Sequence, residues 1–270
     1  MTTTSVLTHI GVDGIATITF NRASVHNAID EAVIAEFKAG LKQVAADSNV
    51  RVVVIAGNGE SFCAGADLNW MKRTAGYSEE QNYREAAEFA ELLRLLSEMP
   101  KATIARVHGP AYGGGVGIVA ACDIAIGTNE ALFSFTEVRL GLIPAMISPY
   151  AVVAIGERRA RRYMLSAERI SAAEALRIGL LHEVCDQAQL DQRIDRIVAN
   201  VVRGGPAATA ACKALIARVT QRPIDAEMRD YTARAIAELR ASAEGREGIG
   251  AFLEKRAPAW FPANTKGTKQ

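Results

Sequence analysis

The chain has 270 residues, 49% apolar and 23% charged, which is ordinary usage for a folded domain and excludes a disordered or fibrous class. Thirty-one basic residues against 30 acidic ones leave a formal charge of +1, so neither nucleic acid nor a membrane surface is expected as the main partner. No uncharged apolar run reaches the length of about 18 residues that a membrane span needs.

The opening MTTTSVLTHIGVDG has no basic region followed by an apolar one, so no secretory signal is expected. Residues 6–10 and 15–20 alternate apolar and polar around Gly11-Val12-Asp13-Gly14, the pattern of a hairpin. Asp30 is placed to cap a helix whose apolar positions, Val33, Ile34, Phe37, Leu41 and Val44, recur every three to four residues. Residues 51–56 are a β-branched run too short for a helix, hence a buried strand. A long helix over 79–98 closes before Pro100, and further buried strands are predicted over 103–107 and 122–126. Strand and helix alternate to about Val184, making an α/β core over residues 1–186. From 187 to 270 the pattern is all-helical, with helices at 190–202, 207–219, 226–243 and 246–255, and residues 264–270 are expected to fray. The four cysteines, Cys63, Cys122, Cys185 and Cys212, form no C-x-x-C pair and lie at no metal-ligand spacing, so no metal is expected and reduced thiols in a cytoplasmic protein fit them.

Three short segments carry chemistry. Ser61-Phe62-Cys63-Ala64-Gly65-Ala66-Asp67-Leu68 follows a strand; its small residues allow close approach to backbone, and Asp67 can cap the next helix, although an ordinary β–α loop reads the same way. His108 to Gly117 holds Gly113-Gly114-Gly115 at the start of an apolar helix, where exposed N–H groups suit a developing anion; a tight structural turn is the plain alternative. In Phe133 to Pro144 one carboxylate, Glu137, lies among apolar residues, the setting for a raised pKa and acid/base work, whereas an isolated glutamate is usually solvated.

Taken together and in this order, from Asn21-Arg22 and Asn27-Ala28 to Ala251-Phe252-Leu253-Glu254-Lys255-Arg256, these segments resemble the crotonase superfamily, also called enoyl-CoA hydratase/isomerase. The resemblance implies a spiral of ββα units followed by C-terminal helices that assemble trimers or hexamers. It implies an acyl-CoA thioester as substrate, with CoA carried by the substrate and no separate cofactor. It implies two backbone N–H donors for the thioester oxygen, mapped to Ala64 and Gly114, each typically worth about 10²–10³ in rate. CoA contacts are implied for Val25 and His26, for the loop Ala64, Gly65, Ala66, Asp67 and Leu68, and for Lys255.

Hydratases of the two-glutamate type place their first carboxylate where this chain has Gly117 and their second at Glu137. One carboxylate is therefore missing. The resemblance implies reversible hydration of an α,β-unsaturated acyl-CoA, with a Δ3,Δ2-enoyl-CoA isomerase or a non-catalytic acyl-CoA-binding protein as alternatives. The segments 61–71, Gly141-Leu142-Ile143-Pro144 and 154–163 are similar to bacterial hydratases of 3-methylglutaconyl-CoA. Arg139 could grip the free carboxylate of such a substrate, but a structural ion pair is the stronger expectation. Arg158, Arg159, Arg161 and Arg162 read as a solvated face, His108 as a turn residue, Cys63 as lacking a base, and Trp70 and Met71 as packing.

Overall fold

The structure, a computed structural model, describes residues 4–220 and 222–261; the fraying expected at 264–270 lies outside the described residues. In chain order the strands are β1 (Val6–Ile10), β2 (Ile15–Phe20), β3 (Val52–Gly57), β4 (Ala102–Val107), β5 (Ala111–Tyr112), β6 (Ile124–Thr128), β7 (Leu132–Ser134), β8 (Ile170–Ser171) and β9 (Glu183–Cys185). The helices are α1 (Glu31–Ala46), α2 (Leu68–Thr74), α3 (Glu79–Ser97), α4 (Gly114–Ala121), α5 (Ser148–Ile155), α6 (Glu157–Ser166), α7 (Ala172–Ile178), α8 (Leu190–Val201), α9 (Pro206–Val219), α10 (Ala226–Ala241) and α11 (Ala243–Leu253).

The main sheet has the order β1-β2-β3-β4-β6-β9, antiparallel at β1 and parallel from there on, and β5-β7-β8 form a small second sheet. Successive segments place one strand in the large sheet and the next in the small one, as β4/β5 and β6/β7 do, before a helix turns the chain back. That is the expected ββα spiral. The β-branched run of β3 is explained by burial on both faces: Val53 and Ile55 join the core under α1 and α3, and Val52 and Val54 the core under α8. Helix α8 supplies Leu190, Ile194 and Val198 to that second core and so covers the sheet's other face.

Asp30 caps α1 as expected, accepting from the Val33 N–H at 2.9 Å, and all five predicted apolar positions are buried. Most boundaries fall within one residue of the sequence reading, and larger differences lie in two places. The strand expected over 122–126 runs over Ile124–Thr128, because Cys122 ends α4 and the Asp123 carboxylate accepts from the Thr103 N–H and hydroxyl before the ladder starts. The last two helices part at Ser242, whose hydroxyl accepts from the Gly245 N–H, so an N-cap sets the break a few residues before the expected gap between 243 and 246. No helix of the described residues is long and apolar enough to cross a membrane.

Candidate active site

The two glycine-bearing turns lie against each other. Cys63 bridges in parallel to Ala111, with its N–H donating to the Pro110 carbonyl (3.2 Å) and its carbonyl accepting from Tyr112 (2.9 Å). Gly65 has φ +90°, and a Cβ there would stand 3.0 Å from the Tyr112 carbonyl oxygen, so a side chain would drive the turns apart. On its other edge the first turn is clipped to residues 26–29. The Ala64 N–H donates to the His26 carbonyl (2.9 Å), the Ile29 N–H to Gly65 (2.7 Å) and the Asp67 N–H to Ile29 (2.8 Å).

This pattern corrects one expectation. The Ala64 N–H, expected as a thioester donor, is taken by His26. Two residues on, Ala66 is exposed and its N–H has no hydrogen-bond partner among the described residues. In the second turn Gly113, at φ +47°, donates to the Ser134 carbonyl (3.0 Å) and caps α4, leaving the Gly114 N–H as a first-turn donor with no partner among the described residues, at the positive end of the helix. Sequence spacing cannot show which N–H of a loop is consumed by a bridge to a segment 38 residues away.

Glu137 opens a 3₁₀ turn, Glu137–Leu140, that follows β7. Its carboxyl reaches the second turn: a Cβ on Gly113 would lie 3.3 Å from Oε1. Oε2 is buried with no hydrogen-bond partner among the described residues. Burial pushes the Glu137 carboxyl above its ordinary value, its own backbone N–H offsetting only part of this. Gly117, where a second carboxylate would stand, is buried, and an added Cβ would fall 2.1 Å from Ile147 Cγ2. The Ile147 side chain fills that place.

A brace beneath the site explains the Asn21 to Ala28 segment. Arg22 pairs with Asp67 (3.0 Å) and Asp30 (3.1 Å) and donates to the Ala28 carbonyl (2.6 Å). Asn27, buried and left-handed at φ +58°, donates to the Asn58 and Ser61 carbonyls (2.8 and 2.7 Å) and accepts from the Arg22 N–H. Asp67 caps α2; burial opposes its charge, but the Trp70 and Asn69 N–H groups and Arg22 prevail and hold it below the usual carboxylate range.

Val25, His26, Leu68 and Ala66 are exposed around these turns, with Ala64 half-buried and Gly65 and Asp67 buried. Lys255 stands exposed after α11, a helix packed on α9 and α10, and among the described residues no hydrogen bond or ion pair ties it to the turns. Arg139 is exposed, and the ion pair expected for it is absent among the described residues. Arg161 and Arg162 do pair locally, with Glu157 (2.8 Å) and Glu168 (2.6 Å). Cys63 is fully buried, and burial pushes its thiol up to about 12, so it supplies no thiolate. His108 donates from Nε2 to the Gly59 carbonyl (2.9 Å), and burial lowers its pKa, so the ring stays neutral.

A groove of about 530 Å³ is lined by Tyr83, Ala86, Ala87, Ala90 and Arg94 of α3 and by Ala145 and Met146. Both of its walls reach the site. Phe89, on α3, stands 3.1 Å from where a Gly114 Cβ would lie, and Met146 adjoins Ile147.

Residues 11–262 match the profile of the enoyl-CoA hydratase/isomerase family. The chain belongs to that family. A short-chain-enoyl-CoA hydratase of Clostridium acetobutylicum is 32% identical over 248 residues, 90% of this chain and 92% of that protein. The crystal structure of an enoyl-CoA hydratase from Shewanella pealeana has a TM-score of 0.92 at 39% identity, covering 95% of this chain and 96% of that one. Pseudomonas aeruginosa AtuE has a TM-score of 0.90 at 36% identity, covering 95% and 99%. Membership of the enoyl-CoA hydratase/isomerase family supports an acyl-CoA thioester as the substrate class and the crotonase fold as the scaffold.

Proposed function

We propose that this enoyl-CoA hydratase/isomerase family member reversibly hydrates an α,β-unsaturated acyl-CoA, with Ala66 and Gly114 donating to the thioester oxygen and Glu137 as its acid/base. The observation that carries this reading is the Glu137 carboxyl, one oxygen of which is buried and unpaired among the described residues beside the turn that offers the Gly114 N–H. In the hydration direction an ionised Glu137 takes a proton from water as the water oxygen bonds to the β-carbon. Charge collects on the thioester oxygen, where two fixed N–H groups stabilise it without reorganisation. Glu137 then returns its proton to the α-carbon, so one carboxylate balances the whole addition. CoA lies along Val25, His26 and the 64–68 loop, with Lys255 as a phosphate partner, and the acyl chain enters the α3 groove. Exposed apolar residues on the C-terminal helices support a homotrimer or hexamer, and the cysteine pattern a cytoplasmic location.

With Ile147 in place of a second carboxylate, water needs help from elsewhere. A substrate with its own carboxylate, of the 3-methylglutaconyl-CoA type, supplies it, and a kcat/KM preference over crotonyl-CoA of at least about tenfold, or about 1.4 kcal/mol, is expected. Steady-state kinetics on both thioesters tests this, and equal or better efficiency on crotonyl-CoA rejects substrate assistance. The same Ile147 packing favours a second reading, Δ3,Δ2 isomerisation, in which Glu137 moves a proton between the α- and γ-carbons and no water is needed. Conversion of a 3-enoyl-CoA without gain of the mass of water identifies it.

A further inference from the structure

Helix α2 carries Ala66 into the rest of the molecule, yet it is only seven residues long and has no buried residue of its own. So short a helix is not stable alone and depends on its tertiary anchors. Asp67 holds its first turn, and an exposed Arg73–Glu31 pair adds little. A further anchor is Trp70, half-buried against the main core, whose indole N–H donates to Glu85 Oε2 on α3 at 2.7 Å.

Glu85 and Phe89 lie one turn apart on the same face of α3, and Phe89 abuts Gly114. One helix face therefore touches both donor-bearing segments: Gly114 directly, and Ala66 through Trp70 and α2. We propose that Trp70 and Glu85 are positioning residues that set the placement of the Ala66 N–H relative to that of Gly114. This rests on the reading of Ala66 and Gly114 as the thioester donors. Misplacing such a donor by about 1 Å costs up to about 10²-fold in rate, so a link of this kind is felt in catalysis before it is felt in folding.

The test combines three variants with one spectroscopic signal, the C=O stretch of [1-¹³C]butyryl-CoA, a saturated thioester bound without turnover. Trp70→Phe keeps the ring and removes the donor; kcat is expected to fall by about tenfold or more with KM within about twofold, and the bound carbonyl to lose part of its downshift. Glu85→Ala should match it. Glu85→Gln retains an acceptor for the indole and should restore kcat and carbonyl shift to within about twofold of the parent. Melting temperature and circular dichroism check each fold, and if Trp70→Phe does not fold, the two Glu85 variants decide. A parental carbonyl shift and kcat in Glu85→Ala overturn the proposal. Equal losses in Glu85→Gln and Glu85→Ala also overturn it, since they assign the effect to the charge of Glu85. An unshifted carbonyl in the parent protein instead removes the two-donor reading itself, and this inference with it.

Discussion

The Glu137 carboxyl sits where its charge is poorly supported, and that couples activity to stability. Burial raises its pKa, so the acid limb of the kcat/KM profile should lie above the ordinary carboxylate value. A carboxyl with a raised folded-state pKa contributes stability below its unfolded pKa and loses it as pH rises through the raised value. Glu137→Gln should therefore cut turnover by about 10²–10⁴ while its melting temperature, relative to the parent, is highest at alkaline pH and converges as pH falls. Near-normal turnover, or a stability gap that widens in acid, would count against the assignment. Gly114 offers a cleaner backbone test than the sequence suggests. It is the first residue of α4, where proline is tolerated, and its tight neighbours are the side-chain ends of Phe89 and Ile29. Gly114→Pro is expected to fold and to lose about 10²–10³ in kcat through the missing N–H. Folded protein with ordinary activity would place the donor elsewhere.

Among the elements, the contact between α4 and the residue preceding α5 bears most on the proposed chemistry. Ile147 packs where a side chain on Gly117 would go, so the missing glutamate cannot be restored by one substitution. Gly117→Glu alone should overpack the core by about 1–3 kcal/mol. A chain of this size melts about 2–4 °C lower for each kcal/mol lost. No gain in crotonyl-CoA hydration is expected. Adding Ile147→Ala opens the space, and the double variant should recover stability and hydrate crotonyl-CoA faster than the parent. A stable, faster Gly117→Glu single variant would show that the slot is open. Helix α2 teaches a related lesson: its amphipathic pattern is too short to read, and its attachment through Trp70 becomes visible only when α3 is beside it.

For the whole molecule, the C-terminal helices set the expectation. Helices α9 and α10 bury no residue, while Ile216, Ile236, Phe252 and Leu253 are exposed, Phe252 at 81%. Apolar surface distributed this way is what the proposed assembly would cover. Sedimentation equilibrium should give a multiple of the 28.9 kDa chain mass, and Phe252→Glu should shift it towards the monomer. A monomeric parent at micromolar concentration would refute the assembly.

Periodicity alone placed the elements with long local patterns: the five apolar positions of α1, the β-branched run of β3, and the helical series from α8 onward. The Gly triplet and Glu137 were legible as motifs because their chemistry lies in residue type. The short strands β5, β7 and β8 have two or three residues each and too little period to see, and pairing alone defines them. Only the tertiary structure showed the Ala64 N–H consumed and the Ala66 N–H left without a partner among the described residues, since a backbone N–H is free or consumed according to which distant carbonyl faces it. Only packing showed Ile147 standing where a second carboxylate would be, because one buried volume admits one side chain and sequence does not say whose.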